Sequence, residues 1–507
     1  MLKHFRRFLA ILSIIAVTLL FVDFTGTAAS LWGWMAKIQF MPALLAINAA
    51  VVVALIAATL LMGRIYCSVI CPLGIYQDAV KWLRDKFGPK KTRRFRFKYI
   101  PAHTCRHIIL LVFAVLLVLG FTRLLFAAMA GLIEPYSAYG RIASQILAPG
   151  VDGVNNALAV WSESMDDNYW FYRVTAAVSV PVLIVAITTV MLVTVMAWRG
   201  GRDYCNTICP VGTILGYLSR FSVLRPVIDT SKCVNCTKCA RRCKAKCIDA
   251  RAHKIDYSRC VVCFDCINEC AEGAISYTWR RPADKHALPT SAPDRGRRGF
   301  VAGTGFVLGA LAIDAVAKTT DGGFTPLKQK QAPRRDTPVV PAGAVSLGHL
   351  GAHCTACQLC IQNCPSHIIK PSTRLDRLMQ PELDFTAGYC DPQCTTCSDL
   401  CPVGAFHPVT VEEKSSIKIG QAVVDLATCL SASEGENCGK CASVCPAGAI
   451  KMEPVAEGSD HLMPIVLEDV CIGCGACENH CPVGTVSSMR PSTAAIHVEG
   501  LETHRLI

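Results

Sequence analysis

No C-x-x-C-H haem-attachment motif, no P-loop and no dinucleotide fingerprint following a strand occurs in these 507 residues. Covalent haem, nucleotide hydrolysis and resident NAD or flavin chemistry are therefore not written into the chain. Charge is also scarce, with 18% charged and 7% aromatic residues against 52% hydrophobic ones. Acidic residues are thin in one half: residues 1–317 carry 37 Lys+Arg against 18 Asp+Glu, and residues 318–507 carry 14 against 20. That asymmetry argues against a nucleic-acid surface and for basic loops flanking membrane spans, with an acidic soluble tail. Size and hydrophobicity exclude a disordered, collagen-like or small disulfide-framework protein. What is abundant is cysteine, thirty in all, and most of it falls in tight groups of four.

Apolar stretches at roughly 8–23, 38–62, 106–133 and 173–198 predict four transmembrane helices, with a fifth, weaker one at 299–317. Lys3, Arg6 and Arg7, ten Lys+Arg in 63–105 and nineteen in 199–298 place those segments in the cytoplasm. Arg297-Arg298 ahead of 299–317 reads as a twin-arginine-like signal retained as an anchor, within 295–318. That reading puts the remainder in the periplasm of a bacterial inner membrane. Folded export keeps its thiolates from scrambling in an oxidising compartment. The expected domains are a four-span membrane domain (1–225), a cytoplasmic ferredoxin domain (226–285), a Pro-rich linker (319–346) and a periplasmic four-cluster domain (347–507). The fold class expected is an α-helical membrane domain with α+β ferredoxin-like modules on both of its sides.

Cys233, Cys236, Cys239 and Cys243, then Cys260, Cys263, Cys266 and Cys270, follow the C-x2-C-x2-C-x3-C spacing of two-cluster ferredoxins. In that arrangement three thiolates hold one [4Fe–4S] cluster and the fourth holds its neighbour. Cys270 is thus expected with Cys233, Cys236 and Cys239, and Cys243 with Cys260, Cys263 and Cys266. Zinc ribbons use C-x2-C pairs rather than triplets. Lys244 and Ala271 replace the usual proline, and the surplus Cys247 is an alternative to Cys243.

The tail repeats the theme in four groups: Cys354, Cys357, Cys360, Cys364; Cys390, Cys394, Cys397, Cys401; Cys429, Cys438, Cys441, Cys445; and Cys471, Cys474, Cys477, Cys481. Each keeps the C-x2-C-x3-C-P ending, so six [4Fe–4S] clusters are expected along the chain. Exchange of fourth ligands in tandem (first with second, third with fourth) and nested exchange (first with fourth) both fit the spacing.

The membrane region carries an internal repeat. Gly63-Arg64-Ile65-Tyr66-Cys67-Ser68-Val69-Ile70-Cys71-Pro72-Leu73-Gly74 matches Gly201-Arg202-Asp203-Tyr204-Cys205-Asn206-Thr207-Ile208-Cys209-Pro210-Val211-Gly212. If helical, the two cysteines of each copy share a face. Cys67, Cys71, Cys205 and Cys209 are then buried structural thiols, a redox disulfide, a quinone-side relay or a further iron centre. Cys105, without a partner motif, is read as a small buried hydrophobe. Ionisable residues in a span are costly. Arg123 and Glu134, with Tyr136, are either part of a quinol pocket or, for Arg123 with Asp23, an ion pair between helices.

Residues 1–280 resemble the NapH/MauN-type membrane quinol dehydrogenase component, on the two C-x3-C-P copies, Glu134-Pro135-Tyr136-Ser137 and the ferredoxin that follows. Residues 297–507 resemble the NapG/MauM-type periplasmic polyferredoxin, from Arg297-Arg298 to Cys481-Pro482. The resemblance implies a fusion that oxidises quinol from the quinone pool and delivers electrons to a periplasmic reductase or cytochrome. Two other readings fit the residues: a conduit fed by cytoplasmic ferredoxin or flavodoxin, and an electron donor for maturing a periplasmic metalloenzyme. A hydrocarbon core of ~30 Å separates the two cluster sets, so either Cys67, Cys71, Cys205 and Cys209 supply an intermediate centre, or a quinone does, or the two sets serve different partners.

Overall fold

The structure, a computed structural model, describes residues 2–88, 97–120, 124–163, 174, 178–279, 330–455, 461–483 and 493–507. Arg123, the Arg297-Arg298 pair and the 299–317 segment lie outside the described residues.

Two helices, Leu2–Val22 and Val180–Gly200, have the length and apolarity to cross a membrane. At 1.5 Å per residue, 21 residues span about 31 Å. The other expected spans are divided. The 38–62 stretch splits into Phe40–Leu45 and Ala49–Met62, with Asn48 capping the second through a bond from Val51 N at 3.3 Å. Ile47 between them takes φ 53°, which a continuous helix forbids. The 106–133 stretch appears as Cys105–Gly120 and Leu124–Ile133, which pack on each other. Large apolar side chains such as Leu111, Val118, Val53 and Met191 point outward from these helices, a surface unsuited to bulk water. Cys105 is exposed at the start of its helix, not the buried hydrophobe the sequence predicts.

Residues 224–279 form an α+β module. Strand Leu224–Ile228 pairs antiparallel with Ile275–Trp279, a four-residue loop joins the two-residue strands Ile248–Asp249 and Lys254–Ile255, and one-turn helices Lys238–Arg242 and Asp265–Glu269 follow the cysteine loops. The tail builds the same motif with longer strands, Ile417–Val424 pairing with Ile496–Leu506 and Ile450–Pro454 with Leu462–Val466. Residues 330–346, read from sequence as linker, instead join this module: Val339, Val340, Ala342 and Ala344 are buried, and Arg335 pairs with the buried Glu478. Proline there sets extended backbone, but its apolar neighbours find a core to fill.

Both modules pack against the helices. Lys3, in the first turn of Leu2–Val22, pairs with Asp265 at 3.0 Å, while Leu20 O accepts a bond from Asn363 at 2.9 Å. The Val180–Gly200 helix repeats the pattern, with Val182 clustered beside Ala356 and Met379, and Arg202 N, just past its end, donating to Lys244 O at 2.9 Å.

Candidate iron–sulfur and relay site

The cysteine loops acquire their shape from short left-handed turns. Thr237, Phe264, Gln358 and Gly475 each take positive φ immediately before the one-turn helix carrying a third cysteine, so successive thiols face one space. Among the described residues the thiols line shared cavities. Cys233, Cys236, Cys239 and Cys270 line one; Cys260, Cys263 and Cys266 line another with both Cys243 and Cys247. In the tail, Cys354, Cys357 and Cys360 meet Cys401, and Cys390, Cys394 and Cys397 meet Cys364. Cys429, Cys438 and Cys441 meet Cys481, while Cys474 lies within electrostatic reach of Cys445. The linings thus follow tandem rather than nested exchange. Among the described residues no three His, Cys, Asp or Glu side chains converge on a point that would hold a single ion. A zinc with bonds of ~2.3 Å needs such convergence; thiols that line a common space instead of meeting at a point fit a polynuclear cluster.

Contacts also order the tail's sets. Cys390 N donates to Cys474 O at 2.9 Å, joining the second and fourth groups. Cys357 of the first group shares a core with Leu20, Phe21, Tyr136 and Tyr139 of the helical domain.

The C-x3-C-P copies are not single helices. Cys67 sits in Tyr66–Val69 and Cys205 in Asp203–Thr207, whereas Cys71 and Cys209 cap the helices that begin at Pro72 and Pro210. Proline forces its predecessor to extend, ψ 115° and 119° here, and then serves as first residue of a new helix. Each proline therefore opens a helix just after the second cysteine of its copy. The four cysteines are buried at 3–4% exposure and act on one another electrostatically. Cys67, Cys71 and Cys209 lie in the central apolar core with Ala138, Val193 and Val261.

Each copy reaches across to the other. Arg64 donates to Cys205 O at 3.2 Å and Arg202 to Cys67 O at 2.6 Å. Gly74 and Gly212 make this possible: a Cβ on either would stand within 3.0 Å of the opposing guanidinium. Both arginines were in the quoted repeat, yet spacing alone did not show their crossing. Asp78, not singled out from sequence, receives Arg202 at 2.7 Å, Lys244 at 2.7 Å and Arg6 at 3.3 Å. Burial alone would raise its pKa; Arg202, Lys244 and Arg6 instead hold it far below the usual carboxylate range.

Glu134 caps the Pro135–Ile142 helix, accepting from Tyr136 N at 3.0 Å and from Ser137 N. It is buried, and lies within electrostatic reach of Tyr66, Tyr204 and Cys357. Tyr204 O–H donates to Ile133 O at 3.2 Å, directly before it. From the same helix Ser137 Oγ bonds Thr355 Oγ1 at 2.8 Å, and Arg141 donates to Gly131 O at 2.9 Å and to Thr355 O at 3.5 Å. Asp23 is occupied by Thr25, Thr27 and Ala28 N.

Residues 44–90 and 181–227, one around each C-x3-C-P copy, match the family described as a 4Fe-4S binding domain. Residues 436–485 match the 4Fe-4S dicluster domain. The ferredoxin-type protein NapG of Escherichia coli is 30% identical over 196 residues, 36% of this chain and 80% of that protein. NapH of Haemophilus influenzae is 27% identical over 207 residues, 40% of this chain and 54% of NapH. The methylamine utilization ferredoxin-type protein MauM of Methylobacillus flagellatus is 33% identical over 117 residues, 22% of this chain and 48% of MauM. The chain spans about half the length of the MauM and NapH relatives. No solved structure matches it. With 4Fe-4S domains at both ends of the chain and NapG matched over four-fifths of its length, this protein belongs to the NapH/NapG-like ferredoxin-type proteins of iron–sulfur electron transport.

Proposed function

We propose that this chain is a membrane-bound electron-transfer protein that oxidises quinol and hands electrons to a periplasmic reductase or cytochrome. The proposal places six [4Fe–4S] clusters in the six four-thiol sets, two on the cytoplasmic side and four on the periplasmic side. When bound, such clusters accept and release single electrons. Quinol gives up two electrons and two protons on becoming quinone, so its electrons must be taken one at a time.

The observation that carries this reading is the central position of Cys67, Cys71, Cys205 and Cys209. One module touches the helical domain at Lys3 and Arg202, the other at Leu20 and Val182. Cys67, Cys71 and Cys209 share a core with Tyr66 and Tyr204, Tyr204 donates to Ile133 O beside Glu134, and the helix that Glu134 caps carries Tyr136 into a core with Cys357. These thiols are proposed as the intermediate iron centre that bridges the hydrocarbon gap. Glu134 is the proposed proton acceptor, with Tyr136 beside it in the proposed quinol pocket; Arg123, the third residue read from sequence, lies outside the described residues.

The test is iron content and electron paramagnetic resonance of the purified chain, before and after a reduced menaquinol analogue. Reduction by the analogue, and its loss in Glu134→Gln, supports quinol oxidation; clusters that stay oxidised sink it. One observation favours a second reading. Cys236 is exposed at the surface of its four-thiol set, which suits close approach of a cytoplasmic ferredoxin or flavodoxin. Reduction by that carrier alone selects the second reading.

A further inference from the structure

The two C-x3-C-P copies are related position by position, and their symmetry fails at two adjacent places. Offsetting the chain by the repeat aligns Gln77 with Leu215 and Asp78 with Gly216. Gln77 is fully buried and donates from one amide nitrogen to Leu73 O at 3.1 Å and to Cys205 Sγ at 3.0 Å. The carbonyl at 3.1 Å fixes which end of the amide is nitrogen. Leu215 can donate nothing to the other copy. Gln77 Oε1 is left buried without a partner.

The second break concerns charge. Arg202 reaches Asp78 across the repeat. By the same symmetry Arg64 should reach a carboxylate at 216, but glycine stands there, and a Cβ on it would lie 2.5 Å from Ser258 O. Arg64 takes that carbonyl at 3.0 Å, with Asn206 Oδ1 at 2.8 Å. Among the described residues it forms no ion pair, and Cys67, Cys205 and Cys209 lie within its electrostatic reach. Its guanidinium also stands 3.8 Å from Cys67 Sγ, as Arg202 does 3.9 Å from Cys205 Sγ. Lys3, Arg6, Arg64, Arg202 and Lys244 are thus all buried in this region, with Asp78 and Asp265 as their carboxylates. A fully buried cation without a counter-ion is prohibitively costly.

We infer that Arg64 is the counter-ion of a negatively charged iron–thiolate centre held jointly by Cys67, Cys71, Cys205 and Cys209, and that Gln77 polarises this centre toward Cys205. The inference rests on the relay role proposed for these thiols. Were such a centre to take one electron from a neighbouring reduced cluster, Gln77 Nε2–H, which only one repeat supplies, would stabilise the added negative charge on the Cys205 side. Hydrogen bonds to cluster sulfurs stabilise the reduced form and raise the potential. Arg64 and Gln77 are positioning residues in this scheme: they set the charge and shape of the site without exchanging electrons.

The experiment is a stepwise redox titration of the whole detergent-solubilised chain, followed by iron analysis and paramagnetic resonance. Wild type is expected to hold iron above the ~24 atoms of six cubanes, with one anisotropic signal that disappears in Cys67→Ser. Gln77→Leu, which installs the second repeat's residue, should keep that iron, move the signal's midpoint to lower potential and reduce its anisotropy. Arg64→Met should lower the midpoint further, and Arg64→Lys should restore it. Absence of the extra iron in wild type overturns the relay reading itself. Extra iron whose midpoint and line shape ignore Gln77→Leu overturns the inference alone, and that variant decides the matter even if Arg64→Met fails to fold.

Discussion

Lys244 Nζ lies 2.7 Å from the Asp78 carboxylate, a buried ion pair between the cysteine module at 224–279 and the helix that follows the first C-x3-C-P copy. Lys244 stands where ferredoxin spacing usually has proline, so the departure from pattern is also the docking contact. Removing one partner strands buried charge, at a cost of about 3–5 kcal/mol. Asp78→Asn is therefore expected to loosen residues 226–279 from the helices, seen as new protease cleavage there and a lower unfolding temperature. The pH dependence has a definite sign. A carboxylate with folded pKa far below its unfolded value of about 3.9 contributes stability that is fully present above that value. It is lost as pH falls below it, so acid should release the module in wild type with a step that is smaller in Asp78→Asn, Asp265 with Lys3 and Lys244 supplying the rest.

Tandem exchange makes a spectroscopic prediction. Cys401 lines the cavity of Cys354, Cys357 and Cys360, and Cys364 that of Cys390, Cys394 and Cys397. Cys401→Ala should abolish or convert the signal that Cys354→Ala also affects, leaving the signal sensitive to Cys397→Ala. Nested exchange predicts that Cys481→Ala, not Cys401→Ala, shares the Cys354→Ala phenotype.

Glycine sets how closely the tail approaches the helices. A Cβ on Gly140 would stand 2.4 Å from Cys357 O, and one on Gly131 2.6 Å from Thr355 O. Backbone cannot yield as a flexible side chain does, so Gly140→Val should push Cys357 away and cost about 1–3 kcal/mol of docking. Reduction of the tail's clusters through the membrane domain should slow at least tenfold, while chemical reduction by dithionite stays normal. Unchanged transfer would mean that this contact is not on the path.

Much of this was legible in the sequence, and the exceptions share a cause. Cysteine spacing is local, so the thiols lining the cavities of Cys233–Cys270 follow from it, with the choice between Cys243 and Cys247 left open. Fourth-ligand pairing in the tail could not, because Cys364 and Cys401 are joined only by folding. Helix lengths were overestimated at 38–62 because hydropathy does not register Ile47 turning left-handed before the Asn48 cap. Arg64 and Arg202 were visible in the repeat, but their exchange between copies is a tertiary fact. The 330–346 segment looked like linker because proline marks extension, and extension says nothing about burial.

His504 offers a check on the tail alone. It is partly buried in the last strand with neither ring nitrogen hydrogen-bonded, and burial pushes its pKa down to about 4. The unfolded chain protonates this imidazole near 6.5 and the folded one does not until about 4. Stability is therefore undiminished above 6.5 and falls as pH drops through that window, by at most about 3 kcal/mol. His504→Phe should flatten unfolding temperature against pH between 4 and 6.5; an unchanged slope would assign the loss to other groups.

Cys243 Sγ and Cys247 Sγ stand 3.5 Å apart on one wall of the Cys260–Cys266 cavity, which therefore has five thiols for four positions. The spacing argument favours Cys243, because it corresponds to Cys270 in the companion loop. Cys247 corresponds instead to Ala274, whose backbone N–H bonds Cys270 Sγ at 3.3 Å. A thiol at that place is near enough to replace a missing ligand after a small rotation. Cys247→Ser should therefore leave iron content and spectrum intact. Cys243→Ser should retain the cluster with altered potential, since Cys247 moves in. Only the double variant should lose it, with iron falling by ~4 atoms per chain as one cubane goes. Loss of the cluster in Cys243→Ser alone would show that Cys247 is spare packing, and loss in Cys247→Ser alone would exchange their roles.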